Sequence, residues 1–303
     1  MKIEVVFVLI AAIIFSTMEV GLKIVGQTMG PFQVTFYRFL IGGLFLLPFA
    51  LRSLKQKDIG MSKKDFLYYI FLGTLNTVVT MGIFQISLQS VKASTAAVLL
   101  CINPMFTILL SHFMTDDKLN KRKVIALALS LIGILFILNL NNMTHELKGM
   151  LLVIIAAFFF ALYSVAGVKQ VKKYGGIAHT SISFLLGAAV LFVLLILFRQ
   201  PLMEGITLTI IPALLYLGIV VAGIGYLAYF SAMERSSASL ASITFFIKPA
   251  IAPFIAVITL GEEIAFNTII GIIFILVGSF ISLQLDQYFV PLINKKKENY
   301  KND

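Results

Sequence analysis

Residues 93–117 read ASTAAVLLCINPMFTILLSHFMTDD, and residues 238–262 read ASLASITFFIKPAIAPFIAVITLGE. Laid over each other at an offset of 145, Ala93-Ser94-x-Ala96 falls on Ala238-Ser239-x-Ala241, Ile102-x-Pro104 on Ile247-x-Pro249, and Asp117 on Glu262. Each stretch can cross a hydrocarbon core of ~30 Å as a helix, which takes ~20 apolar residues. Each also holds a proline half-way along and an acid thirteen positions later. Identities between apolar residues come easily in so apolar a chain, but a proline and an acid both in register do not. The register extends outward, with Ala11, Ala12 and Phe15 falling on Ala156, Ala157 and Phe160, and Gly133 on Gly278. The chain therefore reads as a duplication, with repeats over 1–141 and 146–286 and a basic tail over 287–303.

The same apolar length recurs ten times, at 4–26, 33–51, 66–89, 93–114, 122–140, 147–169, 176–198, 206–231, 238–260 and 266–286. These runs are continuous and lack the period-two alternation of a porin, so the expected fold class is an all-α membrane protein of ten transmembrane helices. Composition agrees. Of 303 residues, 59% are hydrophobic and 13% charged, against ~25% charged in a soluble domain. The first run is too long for a signal-peptide core, and no small-residue cleavage site follows it.

Basic residues set the expected orientation. Lys2; Arg52, Lys55, Lys57, Lys63 and Lys64; Lys118, Lys121, Arg122 and Lys123; Lys169, Lys172 and Lys173; Arg235; and Lys295, Lys296, Lys297 and Lys301 fall in alternate segments. The intervening loops hold only Lys92, Lys148 and Arg199. That bias predicts both termini in the cytoplasm and an even number of spans. A repeat of five spans is odd, so the halves are inverted in the bilayer, an architecture of many secondary transporters. The net charge of +10 thus speaks of membrane topology rather than nucleic acid, and the expected setting is a multi-pass protein of the cell membrane.

Ionisable groups inside a bilayer cost ~2.5–3.5 kcal/mol each on insertion scales, so each calls for a partner or a function. Lys248 lies midway along 238–260, too deep to reach a headgroup, and precedes Pro249, which removes a backbone donor and kinks the helix. A charge beside a broken helix at the repeat axis points to a binding site for an anionic group. The competing role is a structural ion pair with Glu19. Asn103, its repeat mate, offers a donor and an acceptor to a cavity or to a neighbouring helix. Glu19 in the first span is a candidate proton carrier or amine acceptor, with Lys23 one turn on in the order that favours an ion pair. Asn76, Gln85, Tyr163, Tyr226 and Tyr229 are further candidates for substrate contacts. Tyr226 and Tyr229 share a helix face, each with an apolar ring and a polar tip. Arg38 reads as an anchor to headgroups, and Asp117 and Glu262 as charges favouring the helix that follows each.

Cys101 is the only cysteine, and the three histidines stand at no metal-ligand spacing. There is no Walker-type phosphate loop, no His-Glu-x-x-His and no Gly-x-Ser-x-Gly. The expectation is therefore a protein that is not an enzyme, without cofactor or metal, whose partners are a small-molecule substrate and the lipid bilayer, with room for a homo-oligomer.

The small-residue stretches Ala93–Ala97 and Ser236–Ala241, the pairs Asn103-Pro104 and Lys248-Pro249, and the acidic turns at 116–117 and 261–263 resemble the EamA-type branch of the drug/metabolite transporter superfamily. The resemblance covers residues 4–286. It implies a ten-helix basket, a cavity formed mainly by spans one, three, four, six, eight and nine, alternating access, and often export of small metabolites. The chain departs from the pattern in having Asp at 117 rather than Glu, and no tryptophan. The expected function is a proton-coupled secondary exporter of small metabolites such as amino acids or amphipathic compounds. A passive exchanger on the same fold, or far more remotely an intramembrane enzyme, stands as the alternative.

Overall fold

In a computed structural model of the chain, residues 3–117, 119–138 and 145–282 are described, and every regular element among them is helical. The helical runs are α1 Ile3–Val25, α2 Pro31–Lys57, α3 Lys63–Ser87, α4 Ala93–Met114, α5 Lys121–Leu138, α6 His145–Tyr174, α7 Gly176–Leu197, α8 Ile211–Arg235, α9 from Ala238–Ala250 and Ala252–Leu260, and α10 Phe266–Ser282. Seven of these are long and apolar enough to cross a membrane, and α9 makes an eighth when its two bent halves count as one. Shorter apolar helices, Val124–Ile137 and Phe266–Gly278, stand where the fifth and tenth spans are expected. The ends of those two expected spans, at 139–140 and 283–286, and the basic tail at 287–303 lie outside the described residues.

The helices pack in pairs that respect the 145-residue register. α2 lies on α7, α4 on α9, and α5 on α10, each helix against its own repeat mate. α1 lies on α8, and correspondingly α6 lies on α3. A pseudo-two-fold axis between the repeats produces this set of pairings.

Glycine sets the close approaches, because without water to drive helix association, small residues let backbones meet and gain dispersion contacts. A Cβ on Gly42 of α2 would meet the Gly218 carbonyl oxygen of α8 at 2.8 Å. The mates of those two residues are Gly187 of α7 and Gly73 of α3, and there a Cβ on Gly187 would run into the Gly73 carbonyl. The contact is thus built twice. α3 and α8 also share a local feature, since Thr74–Thr80 and Tyr216–Gly225 are both π-helical. Such wide turns recur at functional sites because they shift side chains out of the ordinary helical register.

One end of the bundle gathers the basic loops. There Lys57 pairs with Glu234 at 3.4 Å, and Lys173 with Asp65 at 2.8 Å. Glu234 also accepts from the Gly176 amide at 2.7 Å, capping the start of α7. These contacts are mostly exposed and worth little each, but they show that the loops after α2, α6 and α8 share a face.

Gly187→Val should prevent the α3–α7 approach, so the fraction of protein that is monodisperse in mild detergent should collapse. Gly60→Val, where a Cβ has nothing within 4 Å, should leave that fraction unchanged on size-exclusion chromatography.

Candidate functional site

The site begins at the break in α9. Helix runs to Ile247, Lys248–Ala250 form a single 3-10 turn, and α-helix resumes at Ala252 with Pro253 in its first turn. The halves are bent by 42°. Pro249 and Pro253 each lack an N–H, so a continuous ladder through this stretch is unavailable. Lys248 is wholly buried, and its Nζ donates to Oε1 of Glu19 on α1. α1 is broken just before Glu19. Its parts, Ile3–Phe15 and Met18–Val25, are joined by Ser16 and Thr17, whose hydroxyls donate back to the carbonyls of Ala12 and Ile14 at 2.7 Å each. Oε2 of Glu19 is buried and has no hydrogen-bond partner among the described residues.

An aromatic cluster surrounds the pair. The Phe245 ring centroid is 5.8 Å from Lys248 Nζ. Phe15 of α1 and its repeat mate Phe160 of α6 lie 5.9 and 5.4 Å from Phe245. Tyr226 sits 5.0 Å from Phe15, Tyr229 5.7 Å from Phe160, and Tyr163 6.1 Å from Phe160. Each tyrosine hydroxyl has a partner: Tyr163 bonds Ser183 Oγ at 2.9 Å, Tyr229 Ser164 Oγ at 3.1 Å, and Tyr226 Met81 Sδ at 3.7 Å, with Arg38 also beside Tyr226. Lys248, Glu19 and the three tyrosines therefore converge on one apolar, buried centre.

The other candidates sit apart. Asn103 is buried, donates to the Ala157 carbonyl of α6 at 3.0 Å and accepts from Thr107 at 3.3 Å, so it ties α4 to α6. Asn76 lies in the π-helical part of α3, wholly buried, with neither amide atom bonded among the described residues. Gln85 donates to the Leu22 carbonyl at 3.4 Å and, with Lys23, lines a cavity of about 240 Å³. A larger cavity, about 830 Å³, lies among Tyr68, Asp116, Asp117, Lys169, Lys172 and Ser237. Tyr68 and Gln85 belong to the same helical run, on the order of 25 Å apart at 1.5 Å per residue, so the cavities approach the centre from opposite ends.

Three sequence readings are corrected. Lys23 does not pair with Glu19 among the described residues. Spacing along one helix takes no account of a buried ammonium from α9, and the carboxylate turns to that group while Lys23 stays half-exposed in the smaller cavity. Glu262 does not serve the helix that follows it. Its carboxylate accepts from the Ala93 and Ser94 amides at 2.7 and 2.9 Å and from Ser94 Oγ at 2.7 Å, capping the start of α4. Arg38 is no headgroup anchor, since it is 1% exposed with its guanidinium carbon 4.6 Å from the Phe39 ring centroid. The loop before α8 folds over the beginning of α2, where Gln33 donates to the Leu202 and Glu204 carbonyls at 2.7 and 2.8 Å. Nothing in the local sequence signalled that cover.

A helical protein of two symmetric repeats, with an ion pair at a broken helix between them, has the architecture of a membrane transporter. The EamA-like transporter family model matches residues 2–139 and again 147–284, and the chain belongs to that family. A relative from Clostridium kluyveri, described as an uncharacterized transporter, is 38% identical over 290 residues, covering 93% of each chain. The uncharacterized transporter YoaV of Bacillus subtilis is 27% identical over 266 residues, covering 87% of this chain and 90% of its own. A solved crystal structure shares the fold at a TM-score of 0.69 and 19% identity, covering 93% of this chain and 97% of its own.

Removing one partner of a buried pair strands the other charge, at a cost of about 3–5 kcal/mol. Lys248→Ala should therefore lower the melting temperature sharply. The double variant Lys248→Met with Glu19→Gln should recover most of the loss, and thermal unfolding in detergent measures both. Equal melting temperatures for Lys248→Ala and the double variant would contradict the pairing.

Proposed function

We propose that this transporter is a secondary active carrier of small metabolites, such as amino acids or amphipathic compounds, coupled to protons and working as an exporter by alternating access. In this reading the two five-span repeats are inverted in the cell membrane, both termini are cytoplasmic, and the basic end of the bundle faces the cytoplasm. Lys248, Asn103, Asn76, Gln85, Tyr163, Tyr226 and Tyr229 line the substrate path, with Glu19 carrying the proton and Lys23 standing at the outer cavity.

The observation that supports it most is the Lys248–Glu19 pair at the bend of α9. An ion pair without solvent is costly to keep in an apolar bundle and is more often explained by function than by stability. Oε2 of Glu19, buried without a partner among the described residues, is where a proton would be held. Protonation removes the carboxylate charge that holds Lys248 and lets the two broken helices part.

Alternating access also needs two ends that seal in turn, and the two ends differ. Away from the basic loops, Glu262 closes the α9–α10 turn onto the start of α4. At the basic end, Asp117 and Ala238 hold the matching register positions, and both line the larger cavity. Ser239 Oγ, the mate of the Ser94 hydroxyl that binds Glu262, is buried without a partner among the described residues. In this reading the basic end is the open one, and Asp117 docks onto Ala238 and Ser239 when the carrier turns over.

Purified protein in liposomes loaded with a mixed pool of amino acids and other metabolites, under an imposed pH gradient, tests the cycle by mass spectrometry of what crosses. Selective, gradient-driven movement is expected. Glu19→Gln should abolish gradient-driven accumulation while solute exchange survives. Accumulation that survives Glu19→Gln removes the proton role, and exchange with no response to the gradient makes the protein a passive exchanger.

Ser94→Cys with Glu262→Cys, bridged by a short reducible bifunctional thiol reagent in place of the long Glu262 side chain, should lock the latched end. Crosslinking should stop transport and reductant restore it. Unchanged flux through a verified crosslink would rule out opening at that end.

A further inference from the structure

Among the described residues, the charged side chains buried in the core are Glu19, Arg38 and Lys248. Glu19 and Lys248 offset each other. Arg38 is then a positive charge with no buried negative partner of its own. Its polar neighbours are Tyr226, whose hydroxyl is placed to accept from the guanidinium, and Glu19, one of whose oxygens is already engaged by Lys248. An uncompensated guanidinium in an apolar core is among the most costly groups a fold can hold, and a persistent one points to an anion that visits it.

The geometry points to Arg38 as the seat for the anionic group of the transported molecule, an amphipathic monocarboxylate whose apolar body lies among the aromatic rings. Nε and Nη2 of Arg38 are both buried and have no hydrogen-bond partner among the described residues. Those two atoms form one edge of the guanidinium, the edge that meets both oxygens of a carboxylate at once. The plane is held by Phe39, whose ring in turn packs on Phe184 at 4.5 Å and on Tyr226 at 6.0 Å. Tyr226 belongs to the aromatic cluster, so a molecule seated on Arg38 reaches that cluster with its other end. One negative charge brings the buried set to neutrality, and the Lys248–Glu19 pair need not open to receive it.

This inference rests on the transporter reading for its meaning but is tested by binding alone. The full chain in detergent is titrated with phenylacetate, with phenylacetamide, and with sodium chloride at matched ionic strength, and thermal unfolding is followed. Phenylacetate should raise the melting temperature saturably while phenylacetamide does not. Arg38→Met should lose that response and, without ligand, unfold at a higher temperature than the wild type, because an unpaired buried charge has gone. A purely structural arginine would show the opposite order.

Arg38→Met that keeps the phenylacetate response overturns the seat. So does a wild-type protein indifferent to phenylacetate and to carboxylates of similar size, and so does chloride alone giving the whole shift. Where Arg38→Met yields no folded protein, Arg38→Lys keeps the charge and loses the two-pronged edge. Its apparent affinity for phenylacetate should fall about tenfold, and an unchanged affinity overturns the seat. Stabilisation without flux in liposomes would leave the seat standing and remove the transport cycle. Flux indifferent to Arg38→Met would do the reverse.

Discussion

An ammonium group in the middle of an apolar bundle must find a carboxylate, and both must be shielded together. Lys248 meets that requirement only because α9 and α1 are both broken at its level. The 3-10 turn at Lys248–Ala250 points the side chain inward, and the Ser16–Thr17 interruption sets Glu19 opposite it. Two interrupted helices from different repeats therefore meet at an ion pair beside the Phe15–Phe245 ring contact. The rings of Phe15, Phe160 and Phe245 fill the space around it, excluding the water that would otherwise weaken the pair.

The backbone scaffold is duplicated and the charges are not. Gly42 with Gly218, and Gly187 with Gly73, are the same contact made twice. The positions matching Glu19 and Lys248 are Ser164 and Asn103, which are neutral and bound to Tyr229 and Ala157. The position matching Arg38 is Ser183, bonded to Tyr163. Packing is therefore symmetric across the axis, while the electrostatics belong to α1, α2 and α9. A duplicated fold can keep its close-packed frame in both halves and place ionisable groups in one set of positions, because the frame depends on small residues and the site on polar ones.

Much of this was legible in the sequence, for physical reasons that also explain where legibility ended. The register of Pro104 with Pro249 and of Phe15 with Phe160 exposed the repeat, because a helix break and a core aromatic are each tied to one place in a span. Lys248 was legible because mid-span depth cannot be hidden. Its pairing with Glu19 was legible as the structural alternative, but spacing also offered Lys23 to Glu19, and adjacency in sequence carries no information about burial. The burial of Arg38 was not legible because its neighbours Glu19 and Tyr226 come from α1 and α8. Glu262 was misread because a carboxylate at a membrane surface suits its own helix as well as a distant one, and only the fold selects. The π-helical turns of α3 and α8 left no mark, as β-branched residues such as those in Thr74–Thr80 and Tyr216–Gly225 also recur through the ordinary helical runs of this chain.

Among the described residues the buried charges number three, two positive and one negative. A bilayer at rest holds a voltage, which acts on net charge at about 2.3 kcal/mol per elementary charge per 100 mV. A core holding Arg38⁺ beside a cancelled pair feels that field as one positive unit, whereas the same core holding one anion feels almost none. The empty form and a form holding such an anion would then differ in their sensitivity to voltage.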